Sequence, residues 1–160
     1  MQVKSFINPD ELEEDLAFDE TTLDDAMVKQ ASLSSHYGMM ASKAALQASL
    51  YKTHLKTVEA NRYLAIREEL KEKGEKFTEA LLEKLVATDS TVISANNEYA
   101  KAVYQSDIGK VASDAFRQRR DMIVQVSKNV HEEMKGELRI QIADELSRRE
   151  RDSLKDVMQQ

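Results

Sequence analysis

The chain has no cysteine and no tryptophan, one proline and four glycines, and aromatic residues fill only 6% of its 160 positions. Without cysteine there is no disulfide framework and no thiolate metal centre, which suits a reducing interior. With so little proline and glycine there is little turn chemistry, and the alternating runs that mark strands are missing. No apolar run approaches ~18 residues, so no membrane-spanning helix is expected, and the opening MQVKSFINPDELEED lacks an apolar signal core. A soluble chain that is not exported by the usual route, with a cytoplasmic location, is the expectation. Catalytic equipment is also scarce. His36, His54 and His131 are scattered, and His131-Glu132-Glu133 lacks the second histidine of a zinc-protease motif. Glycine-rich phosphate loops are absent. Glu68, Glu69 and Glu72 stand close together on one helix, a pattern that is usually a solvated face rather than a metal site. No enzymatic activity, no cofactor and no metal are expected.

What is there is charge, unevenly placed. Nine carboxylates lie between Asp10 and Asp25 with no Lys or Arg among them. From Lys29 to Arg67 the balance reverses, with six Lys or Arg against one carboxylate, Glu59. The net charge of −6 hides this reversal. Affinity for a polyanion follows local rather than net charge, so the basic stretch can meet phosphates while the acidic stretch is free for something basic.

Ala, Glu, Lys, Leu and Arg dominate long segments, which predicts an all-α chain: a long helical hairpin or bundle with short connecting helices. Asn8 as a cap and Pro9 at the first helical position predict a short acidic helix to about Ala17. Asp19 caps the next segment, which runs to Lys73 with a bend or break expected near Gly38, and Gly74 terminates it. Thr78 caps a short helix over about 79–87, with Phe77 stapled on Leu82. Asp89 or Ser90 starts the last long segment, with an apolar stripe that includes Tyr99, Val111, Phe116, Met122 and Ile123. Beyond it Met134, Leu138, Ile142 and Leu146 recur every four residues, a narrow stripe suited to one partner helix. The chain thus divides into an acidic helix (1–18), a helical core (19–130) and a C-terminal helical extension (131–160) expected to serve oligomerisation. The long helices are too thin to bury their stripes alone, so a homo-oligomer is expected, and Ala41, Ala44, Ala45 and Ala48 permit close helix approach.

At about 100° per residue, Lys52, Lys56, Tyr63 and Arg67 fall within about 60° of one another, and Leu46, Leu50, Val58 and Leu64 cluster opposite as a core-like face. Cations that track phosphates beside an aromatic on which a base stacks are what sequence-tolerant single-strand binding needs. Lys and Arg on an outer helix face are also ordinary, and Glu59 interrupts this one. Arg117, Arg119 and Arg120 form a second basic cluster, which ion pairs with Asp114 and Asp121 explain as well as nucleic acid does. Arg148, Arg149 and Arg151 alternate with Glu150 and Asp152 and read as a solvated face.

The run LVATDSTVISANNEYAKAVYQSDIGKVASDAFRQRRDMI resembles the matching region of the UvsY-type recombination mediators of tailed phages. The shared features are the Ala87-to-Asp89 helix start, the aromatic at Tyr99, and an Ala-rich helix leading to Ala115-Phe116-Arg117-Gln118-Arg119. Upstream, VEANRYLAIREEL falls where that family carries a basic single-strand-binding motif. Arg62 takes the motif's arginine, while Ala60 stands for its lysine and Tyr63 for its leucine. The resemblance covers about residues 9–130. It implies a non-enzymatic mediator that forms a ring-like homo-oligomer, binds single-stranded DNA, and helps a RecA-like recombinase displace a single-strand-binding protein. Lys52, Lys56, Arg62, Tyr63 and Arg67 are the candidate DNA-binding residues, and no membrane partner is expected. Two other classes fit the residues: a helical structural or scaffold oligomer without DNA binding, and an inhibitor or DNA mimic built on the acidic head.

Overall fold

The computed structural model describes residues 2–158, with side chains as far as residue 149. The side chains of Glu150, Arg151 and Asp152, and residues 159–160 of the C-terminal extension, lie outside the described residues. Four helices make up the architecture: α1 (Pro9–Leu16), α2 (Leu23–Glu72), α3 (Glu79–Thr88) and α4 (Ser90–Met158), with no strand among the described residues.

Each helix end has a local chemical cause. The Asn8 carboxamide oxygen accepts from the Asp10 N–H at 3.1 Å, and Pro9 occupies the first turn of α1, where its missing N–H costs nothing. Ahead of α2, Asp19 and Thr22 exchange side-chain-to-backbone hydrogen bonds of 2.9 and 3.0 Å, a reciprocal cap that turns the chain into the helix. The 50-residue α2 runs through Gly38 without interruption, so the expected break is absent. It ends where Gly74 adopts φ +67, with the Glu75 N–H donating to Leu70 C=O at 3.1 Å and the Gly74 N–H to Lys71 C=O at 3.0 Å. That left-handed residue is the usual glycine stop. Thr78 caps α3 by accepting from the Leu81 N–H. Asp89 both follows α3 and opens α4, its carboxylate taking the Thr91 N–H at 2.8 Å.

The chain divides into two units: residues 1–17 with 29–117, and residues 18–28 with 118–160. In the first unit α2 and α4 pack antiparallel. Tyr37 stacks on Phe116 with ring centroids 4.6 Å apart, a Cβ on Gly109 would come within 2.8 Å of the Ala41 Cα, and Leu55 packs with Val92 and Ala95. On α2 the inner positions Tyr37, Ala41, Ala44, Ala48, Tyr51, Leu55 and Val58 alternate steps of four and three, the spacing of a coiled-coil seam. On α4 the seam is Val92, Ala95, Tyr99, Ala102, Ser106, Gly109, Ala112 and Phe116. The middle of this seam is made of small residues, so the backbones come close together. The segment before α1 lies along α2. Ile7 is buried with Tyr37, Ala112 and Phe116, and the Gln47 carboxamide pairs with both backbone groups of Lys4, at 3.0 and 3.1 Å.

This seam corrects the helical-wheel reading. Leu46, Leu50 and Leu64, expected on the core-like face of α2, are 62%, 52% and 56% exposed. On this line Ala41 lies against Gly109, and the alanines, Tyr51 and Leu55 turn inward instead. On α4, Val111 and Met122 likewise face outward, while Phe116 is fully buried. Much of the Tyr99-to-Ile123 stripe is therefore used inside the chain.

In the second unit Leu23 and Ala26 pack with Ile123, and Phe18, Val126 and Val130 close around them. Arg119, buried among these residues, sets its guanidinium 5.3 Å from the centre of the Phe18 ring and donates to the Ala26 C=O. Further along α4, Met134, Leu138, Ile142 and Leu146 are each more than half exposed.

Candidate nucleic-acid interface

The middle of α2 presents Lys52 and Lys56, one turn apart and both exposed, with no ion pair among the described residues. Four residues of helix rise separate them by about 6 Å along the axis. The other three candidates sit further along α2, where α3 folds back against it, and their surroundings differ.

Arg62 is half-buried and spans to the start of α4. Its Nη2 lies 2.6 Å and its Nε 2.8 Å from Oδ2 of Asp89, whose side chain is only 13% exposed. The other carboxylate oxygen of Asp89 accepts from the Thr91 hydroxyl and N–H. The Thr91 hydroxyl first, and then Arg62, hold the Asp89 carboxyl down at about 2. One carboxylate thus caps α4 and ties α2 to the α3–α4 corner.

Tyr63 donates its hydroxyl to the Glu79 carboxylate at the start of α3, and that bond is the main reason its pKa is raised. The ring lines a pocket of about 380 Å³ whose wall also carries Glu59 and Glu83. A base approaching this ring brings its phosphate toward three carboxylates. Arg67 is half-buried, and its Nε is buried without a hydrogen-bond partner. The structure therefore brings Arg62, Tyr63 and Arg67 to the α2–α3 corner and leaves Lys52 and Lys56 together on the open face. Sequence spacing could not reveal the partners of Arg62 and Tyr63, because Asp89 and Glu79 stand 27 and 16 positions away.

The Asp89 linkage has a pH signature. Its folded pKa lies below the ordinary 3.8, so the stability it contributes is present above about pH 4 and is lost as the pH falls toward about 2. Thermal melts of the wild type and Asp89→Asn should differ by several degrees at pH 7 and converge on acidification. A gap that stays constant down to pH 2 would show that the ionised carboxylate is not what holds the corner.

The second basic cluster divides as well. Arg117 pairs with Asp114 at 3.1 Å and Arg120 with Asp121 at 2.9 Å, both on the surface, while Arg119 is buried. In the tail Arg149 pairs with Glu145 at 2.7 Å. No helix among the described residues is long and apolar enough to cross a membrane.

No known family's sequence profile matches this chain, and no curated protein matches it. Among solved structures, its fold is similar to the crystal structure of the bacteriophage T4 recombination mediator protein UvsY. The TM-score is 0.50 and the identity 20%, over 78% of this chain and 94% of that one. At that identity the likeness is one of fold, and it agrees with the resemblance that the residues themselves suggest.

Proposed function

We propose that the chain is a non-catalytic recombination mediator. It binds single-stranded DNA as a homo-oligomer and promotes loading of a RecA-like recombinase onto strands coated by single-strand-binding protein. The observation that carries this reading is the likeness of its all-helical fold to a phage recombination mediator over nearly the whole of that protein. The open cations of α2 support it. Lys52 and Lys56 take phosphates directly, and Arg67 extends their track as far as Tyr63, whose ring a base reaches only against the repulsion of Glu59, Glu79 and Glu83. Arg62 acts mainly by holding the α3–α4 corner through Asp89. The apolar residues that the single chain leaves outside, Tyr104 and Val111 on one stretch of α4 and Met134 to Leu146 on another, supply contacts for further copies. Several copies of a weak two-lysine site gain by effective concentration.

Loading is then a matter of binding linkage. A mediator that favours the strand geometry of the recombinase shifts the competition with the coating protein by its difference in affinity, without hydrolysing nucleotide. About 1.4 kcal/mol per site is a tenfold shift.

Fluorescence anisotropy on labelled oligothymidylate across a salt series tests the binding. Each phosphate neutralised contributes about −0.7 to the log–log salt slope, so Lys52→Ala with Lys56→Ala should flatten it by about 1.4 and weaken binding to all sequences alike. An unchanged slope moves the site off this face. Reconstitution of the recombinase on precoated DNA tests the mediation. If the lag in its ATPase is not shortened, the mediator reading is wrong even where DNA binding is real, and if no DNA is bound either, the scaffold reading gains.

A further inference from the structure

On the flank of α2 opposite Lys52 and Lys56 there is a second pocket, which the helical pattern gave no reason to expect. Its volume is about 400 Å³, and it lies between α2 and the extended segment that precedes α1. The walls combine Phe6, Leu46 and Leu50 with the cations Lys4 and Lys43, and no carboxylate lines it. This is the reverse of the Tyr63 pocket, where Glu59 and Glu83 stand on the wall.

Three features make this a built site. The Gln47 carboxamide bonds both backbone groups of Lys4, and Ile7 is buried beyond it, so Lys4 and Phe6 are held in place over α2. Leu46 and Leu50 are more than half exposed on the pocket wall. Tyr51 also lines the pocket. It is 3% exposed, and its buried hydroxyl has no hydrogen-bond partner. An unpaired buried hydroxyl is costly to keep, and a ligand atom that hydrogen-bonds it relieves that cost.

We propose that this pocket takes one unstacked nucleotide of a bound single strand, with the base against Phe6, Leu46 and Leu50 and its phosphates on Lys4 and Lys43. The assignment rests on the single-strand-binding reading above and adds a base-holding element on the other flank of α2. The size falls within the about 300–1,000 Å³ usual for small-ligand sites. An aromatic platform flanked by cations is the chemistry that sequence-tolerant strand binding uses.

The test uses the full chain, labelled oligothymidylate and native mass spectrometry. Phe6→Ala should weaken binding about tenfold at fixed salt, the scale of one lost stacking contact. Lys43→Ala should lower the magnitude of the salt slope by about 0.7. Tyr51→Phe removes only the hydroxyl. It should weaken binding several-fold while leaving the melting temperature unchanged or higher, a combination that structural damage does not produce. If the wild type binds the oligonucleotide and all three variants bind equally well, the pocket assignment is wrong and the Lys52–Lys56 site stands alone. If the wild type binds no single strand at all, both fall. If Phe6→Ala lowers the native mass and leaves the affinity per chain unchanged, the pocket is a contact between copies, and the assignment is overturned.

Discussion

Replacing Phe116 by Ala should cost about 3–5 kcal/mol of folding stability, the range found for emptying an aromatic site in a packed interior. Phe116 is fully buried, and its ring lies nearly parallel to that of Tyr37, at 22°. Around the pair sit Ile7 from the leading segment, Leu12 and Leu16 from α1, Leu33 and Met40 from α2, and Ile108 and Ala112 from α4. One side chain thus supports the contact of every element at this end of the first unit. Small domains have only about 5–15 kcal/mol in all, so a loss of this size is a large share. Urea unfolding should show a lower midpoint with an unchanged slope. If the midpoint barely moves, the stack is not the centre of this core. Tyr37 adds an alkaline signature. Burial first, and then its hydrogen bond to Asp15 at 2.8 Å, push its pKa up to about 12. A proton held more tightly in the folded state means that this contribution is full below about pH 10 and lost as the pH climbs toward about 12. Tyr37→Phe should remove that alkaline loss.

The helix ends were legible because they are local events. Asn8-Pro9, Thr78, Asp89 and Gly74 each act on neighbours within a few residues, and each stands where its chemistry places it. The seam was legible only in part: Ala41, Ala44 and Ala48 marked a close helix approach and Val58 lies inward as expected, but the leucines do not. A wheel weights side chains by apolarity, and on α2 it chooses Leu46, Leu50 and Leu64. What decides the seam is how closely two backbones can approach, and Gly109 and the alanines set that. In the interface, Lys52 and Lys56 were readable as an exposed pair, because both stand on the flank of α2 away from its seam. Arg62 and Tyr63 were not, because α3 returns Glu79 and Asp89 to the far end of that helix. Lys4 and Phe6 were missed because an extended strap has no periodicity to count. Its only sequence signal is Ile7, an apolar residue just ahead of a cap.

Gly109 supplies the second large effect. A Cβ there would lie 2.8 Å from the Ala41 Cα and 3.0 Å from its Cβ, closer than packed carbons tolerate. The nearest atom is backbone, so no rotamer change relieves the clash, and the helices must separate. Overpacking of this kind costs about 1–3 kcal/mol or more. Alanine also returns up to about 1 kcal/mol of helix propensity, so Gly109→Ala should be mildly destabilising. Valine adds two further methyl groups and little of that compensation. Gly109→Val should therefore lose about 3 kcal/mol, a fall of about 6–12 °C in Tm for a chain of this length. Gly38 and Gly136 are the controls, since nothing lies within 4 Å of a Cβ at either position. Gly38→Ala and Gly136→Ala should each raise the Tm slightly. Ala41→Gly should not fully rescue Gly109→Val, because the Ala41 Cα stays where it is. If Gly109→Val melts with the wild type, the two helices are not in contact at this point. If it melts early and Ala41→Gly restores it completely, the contact is between side chains and the backbones are further apart than the seam requires.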